Sequence, residues 1–159
     1  MTVRNVGIGE WVVSADPSVS IKTFALGSCV AVIIYDTKLR IGGLIHVALP
    51  DSTIDAARAA SQPGYFADRG LPIMIEEMKK LGAERSHIWV KLVGGASMLD
   101  PDNLFDIGKR NILAVKRILW RSSLGPLAED TGGEISRTVS LNVGDGSTLV
   151  SSGARQWQI

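Results

Sequence analysis

Apolar positions along the chain form alternations, one continuous run and two helical stripes. Residues 6–13 read as a first strand, closed by Asp16-Pro17, and residues 21–26 as a second. Gly27-Ser28 then permits a bend. Cys29 opens a β-branched run, Val30-Ala31-Val32-Ile33-Ile34-Tyr35, of the kind a strand carries when both of its faces are covered. Residues 36–40 are a polar turn and residues 41–49 return as another strand, which predicts a hairpin. Residues 51–68 are weakly patterned and fit either a loop over a site or a short helix. Leu71, Met74, Ile75 and Met78 form a stripe that predicts a helix over 71–81, with Pro72 in its first turn and Gly82 as its stop. A strand over 87–93 ends in Gly94-Gly95-Ala96-Ser97. A second helix follows over 109–121, with Ile112, Val115, Ile118 and Leu119 inward, and Gly125-Pro126 breaks it. Residues 138–143 alternate, Asp145-Gly146 turns and residues 147–150 return. Strands, helix, strand, helix, strands predict a single mixed α+β domain, mostly antiparallel or mixed in pairing, with two main helices.

Composition narrows the classes of function. A chain of 159 residues, 45% hydrophobic and 21% charged, suits one domain with a real core. A net charge of +1 argues against a broad nucleic-acid footprint. One cysteine excludes an internal disulfide and fits a reducing compartment; with only two histidines beside it, a Cys/His zinc site is implausible. Residues 1–11 lack the basic start and apolar middle of a signal peptide, and the longest apolar stretch, 29–35, is too short to span a bilayer. The expectation is a cytoplasmic protein, not inserted in a membrane, that uses no metal and no cofactor.

The chemistry centres on Cys29 and His46, seventeen residues apart. A thiol and an imidazole are the parts of a nucleophile and its base. In the predicted hairpin Cys29 begins one strand and His46 lies toward the end of the next, so antiparallel return brings them together. Each has a plainer reading: a lone buried cysteine behaves as a small hydrophobe, and a histidine between Ile45 and Val47 is often satisfied by a carbonyl in the core. The bend at Gly27-Ser28 favours chemistry, because its backbone N–H groups could hold a developing oxyanion while an adjacent imidazole lowers the thiol pKa. Thr23 could orient the imidazole or simply serve β propensity; Asp51 competes for the orienting role. His87 reads as structural. Gly94-Gly95 could form an anion-binding nest. Lys109, Arg110, Lys116, Arg117 and Arg121 make a basic band, either a solvated face or a dock for an acidic helix. A nucleophile elbow would need glycine where Ala31 stands, and the zinc-deaminase pattern would need glutamate where Ala48 stands.

Several motifs together resemble the CheD family of chemoreceptor glutamine deamidases. These are Thr23-x-x-Leu26-Gly27-Ser28-Cys29-Val30 with His46, and before it Gly7-Ile8-Gly9-Glu10. Further along come Lys91-x-x-Gly94-Gly95-Ala96-x-Met98, Ile107-Gly108-x-Arg110-Asn111, and Asp130-x-Gly132-Gly133 followed by Arg137. Two positions depart from the family pattern: Val93, where an aromatic is usual, and Ser136, where glycine is usual. Both concern packing or partner contacts. The resemblance implies a deamidase domain over 1–151 with a C-terminal tail over 152–159, and a fold shared with the cytotoxic necrotizing factor toxins. It implies a triad of Cys29 as nucleophile, His46 as base and acid and Thr23 as orienter, with Gly27, Ser28, Gly94 and Gly95 as the substrate and oxyanion region. The implied substrates are glutamines on the cytoplasmic helices of methyl-accepting chemotaxis receptors, converted to glutamate through a thioester without any cofactor. In some relatives a CheC-type phosphatase is the implied partner. Alternatives are another cysteine-dependent amide or ester hydrolase, including a receptor glutamyl methylesterase, and a non-catalytic module that binds receptors or the phosphatase.

Overall fold

The doubly apolar run at 30–35 is explained by its place in the middle of three layers. The computed structural model describes residues 1–97 and 105–159. Among these, one sheet holds β1 (Thr2–Asn5), β3 (Val19–Leu26), β8 (Arg137–Asn142), β9 (Thr148–Ser152) and β10 (Arg155–Gln158), in that order. The other holds β2 (Trp11–Ser14), β5 (Ile41–Val47), β4 (Val30–Asp36), β6 (Ile88–Gly94) and β7 (Pro126–Thr131). Pairing is antiparallel except for β1 with β3 and β6 with β7. Helices α2 (Ala67–Lys80) and α3 (Ile107–Arg121) cover the outer face of the second sheet. The predicted mixed α+β class is what forms.

Successive side chains of a strand point to opposite faces, so β4 feeds two cores. Val30, Val32 and Ile34 pack with Ile45, Val47, Leu71, Met74, Met78, Val115 and Leu119 beneath the helices. Ala31, Ile33 and Tyr35 pack with Ile21, Leu44, Val139 and Leu141 between the sheets. Each large aliphatic side chain buried this way contributes roughly 1.5–3 kcal/mol. The β4–β5 hairpin forms as predicted, with Ala31 opposite His46 and Val30 opposite Val47.

Several expectations need correction. The single strand expected over 6–13 is instead a turn over 6–10 followed by the start of β2, and β1 of the other sheet lies before it. Gly9, at φ +78°, turns the chain between β1 and β2, and the Glu10 carboxylate accepts the Gly7 N–H at 2.8 Å. The strand over 87–93 starts at Ile88, and His87 instead ends a 3-10 turn, Arg85–His87, with Nδ1 3.7 Å from Glu84. Residues 51–68 contain a 3-10 turn Ser52–Ile54, the short helix α1 (Ala56–Ser61) and a 3-10 turn Pro63–Tyr65. Helix α2 begins before 71, so Pro72 lies inside it rather than in its first turn. Strand β7 and strand β10 had no clear alternation to announce them. Strand β10 occupies the segment set apart as a tail: it pairs antiparallel with β9, and Trp157 and Ile159 pack against the core between the sheets.

The early start of α2 depends on close approach rather than periodicity. A Cβ at Gly70 would sit 2.5 Å from the Gly64 Cα and 2.7 Å from the Ile45 Cδ1. Gly70→Ala would gain about 0.5–1 kcal/mol of helix propensity. Forcing backbone from backbone costs about 1–3 kcal/mol, so the clash wins. The expected result is a lower urea midpoint for Gly70→Ala at unchanged m-value; an equal or higher midpoint would show that the packing relaxes freely.

Candidate active site

Thr23 lies on β3 just before a bulge. The register with β8 shifts between Thr23 and Leu26, and Ala25 takes the left-handed φ of 55°. Such a bulge bends its strand and re-aims side chains. Thr23 is fully buried between the sheets. Its hydroxyl donates to the Val6 carbonyl at 2.7 Å, an acceptor in the turn between β1 and β2. Its second contact is His46 Nδ1, also at 2.7 Å.

That geometry selects the tautomer. A hydroxyl carries one proton, and a carbonyl cannot donate. With the Thr23 proton committed to Val6, the hydrogen between Thr23 and His46 must belong to Nδ1. Nε2 of the neutral ring then carries a lone pair, and among the described residues this buried atom has no hydrogen-bond partner. The His46 backbone is held as well, its N–H donating to the Glu10 carbonyl at 3.1 Å and its carbonyl accepting the Gly9 N–H at 2.9 Å.

Cys29 immediately precedes β4, two residues before Ala31, and packs against the core between the sheets. Ala31 opposes His46, so Cys29 is the diagonal neighbour of His46 on the same face, a distance that ring side chains reach. The thiol is free and half-buried. Burial pushes the Cys29 thiol pKa up, with its own backbone N–H working in the other direction. Burial pushes the His46 pKa down to about 4. The expectation that the imidazole lowers the thiol pKa is therefore corrected for the free protein: both groups are neutral near pH 7.

The glycines brace the bend. A Cβ at Gly94, whose φ is +115°, would lie 2.2 Å from the Cys29 carbonyl oxygen, so only glycine fits. The Gly95 N–H donates to that carbonyl and the Ala96 N–H to the Gly27 carbonyl, each at 2.8 Å. This engagement removes the Gly95 N–H from the expected oxyanion set of Gly27, Ser28, Gly94 and Gly95. Ser28 lines a groove of about 140 Å³ with Ala96, Ser97, Phe105, Ile107 and Gly108. The motif residue Met98 lies outside the described residues.

One residue carries more than the sequence reading assigned to it. Asn111, fully buried on α3, donates through Nδ2 to the Ser28 carbonyl at 2.9 Å and the Ala48 carbonyl at 3.0 Å. It thus joins the approach to Cys29 to the chain just after His46. The available signal was an amide on the inward stripe of Gly108, Val115, Ile118 and Leu119. Asp51, the rival orienter, caps a turn through Thr53 instead. In the basic band, Lys116 pairs with Glu129 at 2.9 Å. Arg110, Arg117 and Arg121 line a separate polar groove of about 480 Å³ with Asp51 and Asp68. An apolar cavity of about 300 Å³ near Ile34 and Met78 lies at the other end of β4 from Cys29.

The late motifs support the site from behind. Gly132 N–H donates to the Gly94 carbonyl and Ser97 N–H to the Gly133 carbonyl, each at 2.9 Å. Arg137 binds Asp130 at 2.8 Å and the Gly132 carbonyl at 2.9 Å, and the Trp157 indole also donates to Asp130. Lys91 reaches the Ile159 main-chain oxygen at 2.7 Å. Val93, one of the two departures, is fully buried between the sheets. Among the described residues no cluster of His, Cys, Asp and Glu could hold a metal ion, and no helix is long and apolar enough to cross a membrane.

Comparison with known proteins gives a consistent result. The family described as CheD chemotactic sensory transduction matches residues 48–152. That match begins after His46, but whole-chain relatives extend across the earlier segment. A probable chemoreceptor glutamine deamidase CheD of Syntrophotalea carbinolica is 52% identical over 157 residues, 97% of each chain. One of Solibacter usitatus is 44% identical over 154 residues, 97% of this chain and 91% of its own. The chemoreceptor glutamine deamidase CheD of Thermotoga maritima is 42% identical over 145 residues, 91% of this chain and 88% of its own.

The buried imidazole makes stability depend on pH. Its folded pKa of about 4 lies below the ordinary value of 6.5, so between those values the unfolded chain binds the extra proton and stability falls as pH falls. At 1.36 kcal/mol per unit the loss is about 3 kcal/mol, complete near pH 4. Urea unfolding across pH 4–7 should show this slope in the wild type and lose it in His46→Gln; an equal slope in both would refute the assignment. Nitrogen-15 spectra at neutral pH should also report the Nδ1-protonated tautomer of His46, and Nε2 protonation would contradict the Thr23 geometry.

Proposed function

This chain belongs to the CheD family, and on that premise we propose that it hydrolyses the side-chain amides of chemoreceptor glutamines, with Cys29, His46 and Thr23 as its catalytic group. The observation that carries this reading is the Thr23–His46 hydrogen bond. It leaves a free Nε2 lone pair on the hairpin face that Cys29 shares. The relatives' names supply the substrate.

In the proposed mechanism the thiol is not ionised in advance. Cys29 sulfur attacks the carboxamide carbon while Nε2 takes the thiol proton. The carbonyl π pair moves to oxygen, and a backbone N–H at the Ser28–Cys29 bend stabilises the oxyanion. Collapse breaks the C–N bond, and the imidazolium gives its proton to the departing nitrogen, so ammonia leaves and a thioester remains. Burial disfavours the imidazolium, which favours that second transfer. Nε2 then takes a proton from water, the oxygen attacks the thioester carbon, and the proton returns to sulfur as glutamate departs. Thr23 keeps the ring in register throughout by accepting from Nδ1. No step calls for a metal or an organic cofactor.

The same reading carries a fold likeness to the cytotoxic necrotizing factor toxins, a cytoplasmic site of action and, in some settings, a CheC-type phosphatase as partner. A glutamyl methyl ester would pass through the same thioester, so esterase activity is the neighbouring possibility.

A receptor cytoplasmic fragment incubated with the protein should gain about one dalton at defined glutamines and release ammonia, as amide-to-acid conversion demands. Cys29→Ala should lower that rate at least about a thousandfold while retaining receptor binding. Ammonia release unchanged by Cys29→Ala would eliminate this assignment. Alkylation of free Cys29 should accelerate only as pH rises above the ordinary thiol range, because burial raises its pKa.

A further inference from the structure

Asn111 has a buried amide with an unusual allocation of its atoms. Its Nδ2 donates to two carbonyls, Ser28 at 2.9 Å and Ala48 at 3.0 Å, while its Oδ1 has no partner among the described residues. The orientation follows from chemistry, since reversing the amide would set Oδ1 against two carbonyl oxygens. A buried acceptor left without a bond is costly, and nothing in packing α3 onto the sheet requires an amide at that place. What the site does require is a fixed bend at Cys29.

The Ser28 carbonyl and the Cys29 N–H belong to one planar trans peptide and point in opposite directions. Holding the oxygen toward the Asn111 amide therefore aims the N–H away from that amide. The next carbonyl, that of Cys29, lies against the residue after β6 and accepts the Gly95 N–H at 2.8 Å, and Ser28 lines the adjacent groove with Ala96, Ser97 and the first turn of α3. Among the described residues no carbonyl takes up the Cys29 N–H. A hydrogen bond accepted by the peptide oxygen also polarises the unit and strengthens its N–H as a donor. The second Nδ2 bond, to Ala48, ties this peptide to the strand that bears His46, so nucleophile, base and donor share one anchor.

We infer that Asn111 is a positioning residue that aims and strengthens the Cys29 backbone N–H as the oxyanion donor of the reaction. This rests on the deamidase reading above. It assigns to a side chain on α3 a task that the triad residues do not perform.

The test separates oxyanion stabilisation from thiol reactivity in Asn111→Ala and Asn111→Asp. The second variant keeps the shape but presents an oxygen to both carbonyls. For the receptor fragment, kcat should fall about 10- to 100-fold in Asn111→Ala, and further in Asn111→Asp, with KM nearly unchanged. Alkylation of Cys29 by iodoacetamide, a displacement at saturated carbon that forms no oxyanion, should stay within about threefold of wild type. A second readout does not depend on turnover. A receptor peptide carrying an aldehyde in place of the target carboxamide adds the Cys29 sulfur to its carbonyl carbon and a proton to its oxygen. Its affinity should drop at least about tenfold in both variants, while the matching alcohol binds as it does to wild type. Equal aldehyde affinity in variant and wild type would overturn the inference. So would alkylation falling in parallel with kcat, which would make Asn111 a purely structural brace. A wild type that binds the aldehyde tightly yet releases no ammonia would refute the deamidase reading and leave this inference standing on the aldehyde result.

Discussion

The hydrogen bond between Thr23 and His46 crosses from one sheet to the other, and the proposed chemistry depends on it. Thr23 stands on β3 in the first sheet and His46 on β5 in the second. Neither strand could set the tautomer alone. The Val6 carbonyl accepts the hydrogen bond from the hydroxyl, the hydroxyl oxygen then accepts from Nδ1, and the lone pair is left at Nε2. A chain of three groups from β3, β5 and the turn before β2 thus fixes the tautomer of an otherwise ambiguous imidazole. Side chains from different elements can achieve this only when the elements are rigidly packed, which the core between the sheets supplies.

Burial has two consequences at this site. It removes water from the imidazole and the thiol, and so holds both neutral by disfavouring their charged forms. The same dry surroundings strengthen every hydrogen bond that forms as charge develops. A neutral pair of this kind stores no reactive thiolate between encounters. In the proposed mechanism, proton transfer is then coupled to the arrival of an electrophilic carbon, which suits a half-buried thiol.

Small residues set how closely the supporting segments approach. Gly94 lets β6 run against the Cys29 carbonyl, and Gly108 brings the start of α3 to within 2.5 Å of the Gly95 oxygen, measured from the Cβ that glycine lacks. The Asp130, Gly132 and Arg137 network then holds the Gly94–Ser97 stretch from the far side. Motifs scattered along the chain converge there for mechanical reasons: most of them fix the backbone around Cys29, and few offer a reactive group.

The hairpin and the two main helices were legible in sequence, because each rests on local periodicity or on the fixed return of an antiparallel turn. The turn over 6–10 between β1 and β2, the early start of α2 and strands β7 and β10 were not. Their stability comes from contacts with segments distant in sequence, such as Gly64 against Gly70 or Trp157 against Asp130. Thr23 was open in sequence between orienting the imidazole and plain β propensity, and Asn111 was visible only as a polar interruption of an apolar stripe. Sequence alone determined which groups could react and which strands would carry them, since residue type and alternation are local properties. Tertiary structure alone decided the tautomer, the neutral state of the pair and the direction of the peptide at Cys29, because each depends on which distant atoms share a buried space.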